Sequence, residues 1–385
     1  MARKLLLSGE RADFTVVDFD EGSKKLSIVA NYPSPENASW VETTSTEGSV
    51  NRFIGLSGGL SVGSLYTFEI DHANDTCKIT SQQPTLGAPA HFITLGDKSA
   101  LVLGTFCGGS IALYPITVTD SAGLLLMDTP RIEIFPKFAY EANGHGPNEG
   151  RQHQCHVHQI LEGKNGLLYA PDLGSDRVWI VRRDGTNLEI CGEIQVPPGT
   201  GPRHAVFTSD EKIMYVLGEM SHEVTAYDMS GKSTDLIRPM EGFSVNIIPS
   251  SVHADHQFMM DSAELSLHPT IPNVLYVSNR WEKHIAEREP RLTNVPEKLP
   301  SGDTVAVVLL SSDGKSVEGI SHVRTSLDTI RGMRLSDDGK YMAALGQEGG
   351  GIEVYEISGE RGEVWTLISS LSEDLESGIK HAVWL

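Results

Sequence analysis

The chain is poor in cysteine, in positive charge and in long apolar runs, and each shortage closes off a class of protein. Its four cysteines (Cys77, Cys107, Cys155 and Cys191) are scattered and never form a CxxC pair. That argues against a disulfide-built scaffold or a zinc ribbon, and makes a reducing, cytoplasmic setting the expectation. Lys and Arg number 31 against 51 Asp and Glu, a net charge of −20. With no basic surplus to neutralise phosphates, neither nucleic acid nor an anionic membrane is an expected partner. The opening run Leu5-Leu6-Leu7 is too short for a signal-peptide core. No later stretch approaches the ~20 apolar residues that cross a bilayer.

Helical periodicity is scarce as well. In its place stand 38 glycines and a recurring unit: a short apolar strand, a polar or glycine-rich turn, then a second strand with alternation. The unit can be read seven times, at residues 5–19, 52–68, 101–115, 167–181, 213–227, 274–286 and 341–355. Successive starts lie 47, 49, 66, 46, 61 and 67 residues apart. Propeller blades repeat at roughly 40–50 residues. Three intervals therefore fit directly, and the longer three imply insertions near 120–155, 233–262 and 284–303. The expected fold is all-β, a seven-bladed β-propeller forming one domain over 1–385. The final strand His381-Ala382-Val383-Trp384-Leu385 would complete a blade with the N-terminal strands and close the ring, removing exposed sheet edges. A closed ring makes a monomer the default. Two packed β-sandwiches are the alternative.

Chemistry-bearing residues are densest between His153 and Glu219. His153, His156 and His158 lie at i, i+3 and i+5, so on a strand His156 and His158 share a face and His153 does not. A metal site is disfavoured because no carboxylate lies beside them. In Gly201-Pro202-Arg203-His204, Gly-Pro sets an extended entry to a strand. Alternation then sends Arg203 to one face, as a forked anion clamp or a salt-bridge partner, and His204 to the other. After four apolar strands the same slot holds Asp172, Glu219, Asn279 or Arg280, and Gln347. In a propeller, equivalent slots converge on one end of the central channel. Asp172, in an Asp-Leu-Gly turn, reads as a hairpin cap instead.

At these residues the chain resembles the seven-bladed lactonase family, which includes propeller-type 6-phosphogluconolactonases and fungal carboxy-cis,cis-muconate lactonizing enzymes. The resemblance rests on Gly146-Pro147-Asn148, Arg151-Gln152, His156-Val157-His158, Asp172 to Val178 and Pro198 to His204. It continues through Leu275 to Arg280 and Arg331 to Tyr355. It implies a site without metal or other cofactor, with His158, Glu219, Arg203 and Arg280 as the catalytic set. Around them His156, Arg151, Gln152, His204, Asn279, Gln347 and Trp40 would bind substrate. His158 would move a proton, Glu219 would orient it or act as a second base, and the two arginines would hold the acid group of a small anionic metabolite. The first third departs from the family pattern. Leu56-Ser57 stands for Asn-Glu, Thr105-Phe106 for Asn-Tyr, and Ile330-Arg331 replaces Pro-Arg later on. Three functions stay open: hydrolysis of an acidic sugar-type lactone, cyclisation of a muconate-like acid, and a non-catalytic binding propeller.

Overall fold

The computed structural model describes residues 2–119, 123–129, 131–231, 237–285 and 300–385. Its strands form seven antiparallel sheets, six of four strands and one of five. Sequence order runs outward within each sheet, so consecutive strands pair through short hairpins. The exception is the first blade, whose innermost strand is the C-terminal Ile379–Trp384, paired antiparallel with Ala2–Gly9. The ring closes as expected, through the two ends of the chain. The other innermost strands are Trp40–Glu47, Pro89–Thr94, Leu161–Glu162, Pro202–Phe207, Asp261–Leu267 and Asp328–Leu335.

The apolar strand recognised in each repeat is the second of its blade, and it lies between two neighbouring blades. Alternation splits its side chains between them. Leu5 and Leu7 pack with Tyr341 and Val354 of blade 7, whereas Leu6 packs with Val41 and Phe53 of blade 2. Val274 and Tyr276 likewise face blade 7, and Leu275 and Val277 face blade 5. Being covered on both faces makes these strands continuous apolar runs rather than half-polar ones. One cluster fills each of the seven gaps between blades, so the core is a ring around the channel.

The long intervals are partly blade and partly insertion. The first holds the short strands Gly123–Leu126 and Ile132–Ile134, then a stretch without regular structure up to the bridge between Val157 and Asp172. The second holds the outer strand of blade 5, Pro239–Asn246, besides a 3₁₀ turn at Ala254–Met259. Most of the third, residues 286–299, lies outside the described residues.

Two features of the blades position the site. In an antiparallel pair, the start of the innermost strand meets the end of the second. Arg203, Glu219, Asp261 and Arg280 therefore share one end of the channel. The innermost strands also carry bulges at that level. Pro202 pairs with Gly218 and His204 with Leu217, leaving Arg203 as the extra residue. Ile330 pairs with Gly346 and Gly332 with Leu345, leaving Arg331 extra. A bulge re-aims a side chain that regular pleating would send elsewhere.

Candidate active site

Glu219 is the centre of the site. It follows the second strand of blade 5 and is 4% exposed. Three guanidiniums converge on it, one from the insertion before blade 4 and two from blades 6 and 5: Arg151 on Oε1, Arg280 Nη2 at 3.0 Å from Oε1, and Arg203 Nε at 3.0 Å from Oε2. Arg151 also donates to Asp261 Oδ1 at 2.6 Å, and Trp281 Nε1 donates to Asp261 Oδ2 at 3.1 Å. Arg280 donates to the carbonyl of Ser262 at 2.8 Å, and Arg203 to that of Ala263. Burial alone would raise the Glu219 pKa, but Arg280, Arg151 and Arg203 outweigh it and hold the carboxyl well below its usual range. Glu219 is therefore a fixed anion that locks the arginines.

This geometry changes two expected roles. Glu219 makes no hydrogen bond to His158, and a carboxylate so far depressed is a poor base. Arg203 and Arg280, expected as clamps for a substrate acid, are already neutralised from within. They remain rigid, desolvated donors.

His158 lies beside them, buried, on the segment that leads into the innermost strand of blade 4. Its backbone N–H donates to the Pro171 carbonyl at 2.9 Å. Burial first, then the charges of Arg203 and Arg331 with neighbouring His204, push its pKa well below the usual imidazole value. It is neutral at pH 7, and its Nδ1 has no hydrogen-bond partner. Its ring centroid is 5.2 Å from that of His204 and 5.9 Å from Phe106. His156 stacks on Phe106 with ring centroids 4.3 Å apart, its Nδ1 2.7 Å from the Phe106 carbonyl oxygen. His153 is exposed and stands off the site. The Phe106 departure from the family pattern thus sits directly against the two histidines.

The bulge at Arg203 defeats simple alternation. Arg203 Nη1 and His204 Nδ1 both reach Glu264, at 3.6 and 3.3 Å, instead of facing opposite sides. Burial alone would raise the Glu264 pKa, but the neighbouring His204 and the Arg203 guanidinium outweigh it and hold the carboxyl at about 2. Deeper in the channel, Trp40 lies between His91 and His381, at centroid distances of 4.5 and 4.0 Å. Trp40, His91, His204 and Glu264 face a cavity of about 810 Å³ that opens at the far end. A smaller cavity of about 350 Å³ opens at the site's own end, beside Arg151, Asp261, Met220 and Phe258.

Three expected binders are not brought to the pocket. Gln152 has no exposed surface, and its Nε2 donates to the Leu173 carbonyl and Asp176 Oδ2. Asn279, equally buried, donates to the Ile247 carbonyl at 2.8 Å. Gln347 donates to Glu348. The Gln152 amide is engaged by the scaffold, whereas Asn279 Oδ1 and Gln347 Oε1 are buried without a hydrogen-bond partner. Asp172 is scaffold too, accepting from the N–H groups of His156, Gly174 and Ser175 and from Trp179 Nε1. Asp176 anchors the entry to Arg203 by accepting from the N–H groups of Gly199 and Gly201, each at 2.7 Å. Gly201 sits at φ +60°, a left-handed conformation that side-chain-bearing residues rarely adopt.

Asp261, Glu264, His91, His381 and Arg331 were not anticipated. All lie on innermost strands, at or near their starts, one strand before the apolar runs that mark the repeat. Trp281, which ties down Asp261, sits at φ +79°, a strained conformation for a bulky residue and frequent at functional sites. Among the described residues, no three His, Cys, Asp or Glu side chains are arranged to hold a metal ion.

The model of the family described as "Lactonase, 7-bladed beta-propeller" matches residues 8–376. The "Probable 6-phosphogluconolactonase" of Arthroderma benhamiae is 28% identical over 370 residues, 94% of this chain and 85% of that protein. The 6-phosphogluconolactonase of Bacillus subtilis is 23% identical over 314 residues, 80% of this chain and 78% of its own length. A periplasmic gluconolactonase of Pseudomonas aeruginosa superposes with a TM-score of 0.77 over 100% of this chain and 99% of that one, at 18% identity, which speaks for the fold. The chain belongs to the seven-bladed β-propeller lactonase family.

Proposed function

We propose that this chain is a lactonase that hydrolyses an anionic sugar lactone of the 6-phosphogluconolactone type, with His158 as the proton-transfer group and Arg203 and Arg280 as electrophilic donors. The observation that carries this reading is the junction of a neutral, buried imidazole with guanidiniums locked by Glu219. Preorganised donors of this kind stabilise charge that develops during reaction without reorganising. Water would attack the ring carbonyl while His158 accepts its proton, and Arg203 and Arg280 would meet the developing oxyanion. Collapse would break the ring C–O bond, and the proton held by His158 would pass to the departing ring oxygen. Burial is the main cause that depresses His158, and an anionic substrate would offset the further part due to the neighbouring arginines, making it a better base when the site is filled.

All the residues invoked come from one chain, so a monomer suffices. The four cysteines are free, which supports a reducing, cytoplasmic setting. Among the described residues, no helix is long and apolar enough to cross a membrane.

The test is acid release from 6-phosphoglucono-δ-lactone above the spontaneous rate. His158→Ala should lower kcat by roughly 100-fold, the lower range of general acid–base assistance, with circular dichroism unchanged. Full activity in a folded His158→Ala protein would overturn the assignment.

A further inference from the structure

Four guanidiniums and three carboxylates gather at this end of the channel, a local positive excess within a chain of net charge −20. Arg151, Arg203 and Arg280 all meet Glu219, and each finds a second acceptor in Asp261 or a backbone carbonyl. Arg331 differs. Among the described residues, no hydrogen bond or ion pair engages it. It is the extra residue of the bulge in the innermost strand of blade 7, as Arg203 is in blade 5. Two equivalent bulges therefore carry two guanidiniums to the same level of the channel. Arg203 is ion-paired with Glu219 and bonded to a backbone carbonyl, whereas among the described residues Arg331 has neither an ion pair nor a hydrogen bond.

A half-buried cation without a partner is costly, more so beside other cations. Burial, then Arg203 and Arg280, bring the Arg331 pKa down to about 9, with Glu219 and Glu264 opposing. The charge of Arg331 is felt in turn at His158 and at Lys380, which is itself paired with Glu10 at 2.8 Å. An open fork electrostatically close to the proton-transfer group, among arginines that already have acidic partners, is a place for an acidic group that arrives with the ligand.

We propose that Arg331 is the specificity-determining residue of the site, holding the anionic substituent of the lactone while His158 and the locked arginines act on the ring ester. The inference rests on the lactonase reading and adds to it the residue that separates acidic from neutral lactones. Phosphate and carboxylate share the chemistry that would be recognised.

Three substrates separate them: 6-phosphoglucono-δ-lactone, a glucaro-lactone bearing a carboxylate, and neutral glucono-δ-lactone. The quantity read is the ratio of kcat/KM for each acidic lactone to that for the neutral one. Arg331→Met should lower the ratio for the recognised acid by about 10- to 100-fold, the range for hydrogen bonds to charged groups. Arg331→Lys, which keeps the charge without the fork, should retain part of the preference. The acid whose ratio falls more is the one recognised. Unchanged ratios for both acids would overturn the proposal, as would a wild-type enzyme with no preference for either acid. Should the Met variant not fold, Arg331→Lys and Arg331→Gln read the same ratio. If the wild type opens none of the three, the lactonase reading fails on its own. Calorimetric titration with inorganic phosphate then decides on Arg331: binding weakened at least about tenfold in Arg331→Met upholds an anion site, and equal or absent binding refutes it.

Discussion

Replacing Glu219 by glutamine removes one negative charge and almost no volume, which isolates the role of that carboxylate. In the native site it compensates Arg151, Arg203 and Arg280 together, and none of the last two has appreciable contact with solvent. Breaking a buried ion pair by removing one partner costs about 3–5 kcal/mol, because the other charge is left uncompensated. An unfolding entropy of about 2.1 cal/mol/K per residue gives ~0.8 kcal/mol/K for a chain of this length. Glu219→Gln should therefore lower Tm by about 4–6 °C at pH 7, measured by calorimetry. Adding Arg151→Met, which removes the most exposed of the three arms, should recover part of that loss. The sign with pH follows from the depressed carboxyl. Its contribution is complete above the unfolded value near 4.3 and is lost as pH falls through the lower folded value. The gap in Tm between wild type and variant should thus be constant from pH 7 to about 5 and narrow below that. A fall of less than about 1 °C at pH 7, or a double variant less stable than the single one, would refute the view of Glu219 as the lock of the cluster.

Two further outcomes follow from buried histidines and from ring closure. His91, His158, His204, His222 and His381 all titrate below their ordinary value, burial being the largest cause in each, with His222 near 4 and His381 near 3. Their unfolded forms bind protons first, so stability is complete above pH ~6.5 and should fall steeply between about 6.5 and 4. Urea midpoints at pH 7, 6 and 5 would show it, and a flat profile would contradict the neutral cluster. Removing residues 379–385 takes away the innermost strand of blade 1, including buried Ile379, Ala382 and Val383, and exposes the edge of Ala2–Gly9. The truncated chain should be aggregation-prone, and a separately added 379–385 peptide should raise its soluble fraction. Soluble, cooperatively unfolding truncated protein would show that closure contributes little.

What could be read from the chain is what repeats. Leu5-Leu6-Leu7 and Val274-Leu275-Tyr276-Val277 are apolar throughout because each is shared by two neighbouring blades, and that burial leaves a mark in every repeat. Arg203 and Glu219 stand at strand ends beside glycine turns, whereas His158 and Arg280 enter the expected set through the family resemblance. Gln152 and Asn279 stand in equally suggestive places and serve the scaffold, since their position along the chain does not reveal which way the backbone needs them. Charge compensation was not legible at all. Arg151 meets Asp261 across 110 residues and Glu219 across 68, distances that become contacts only when the ring closes. Bulges are equally silent in sequence, for one extra residue in a strand changes neither its composition nor its length appreciably. Yet the bulges decide the outcome: they turn Arg203 and His204 together towards Glu264, and they bring Arg331 to the channel. The starts of innermost strands are marked by no apolar run, because they face the channel rather than a neighbouring blade. Chemistry in this fold is therefore concentrated where the hydrophobic pattern is weakest, which is why the repeat revealed the architecture sooner than it revealed the unpaired arginine.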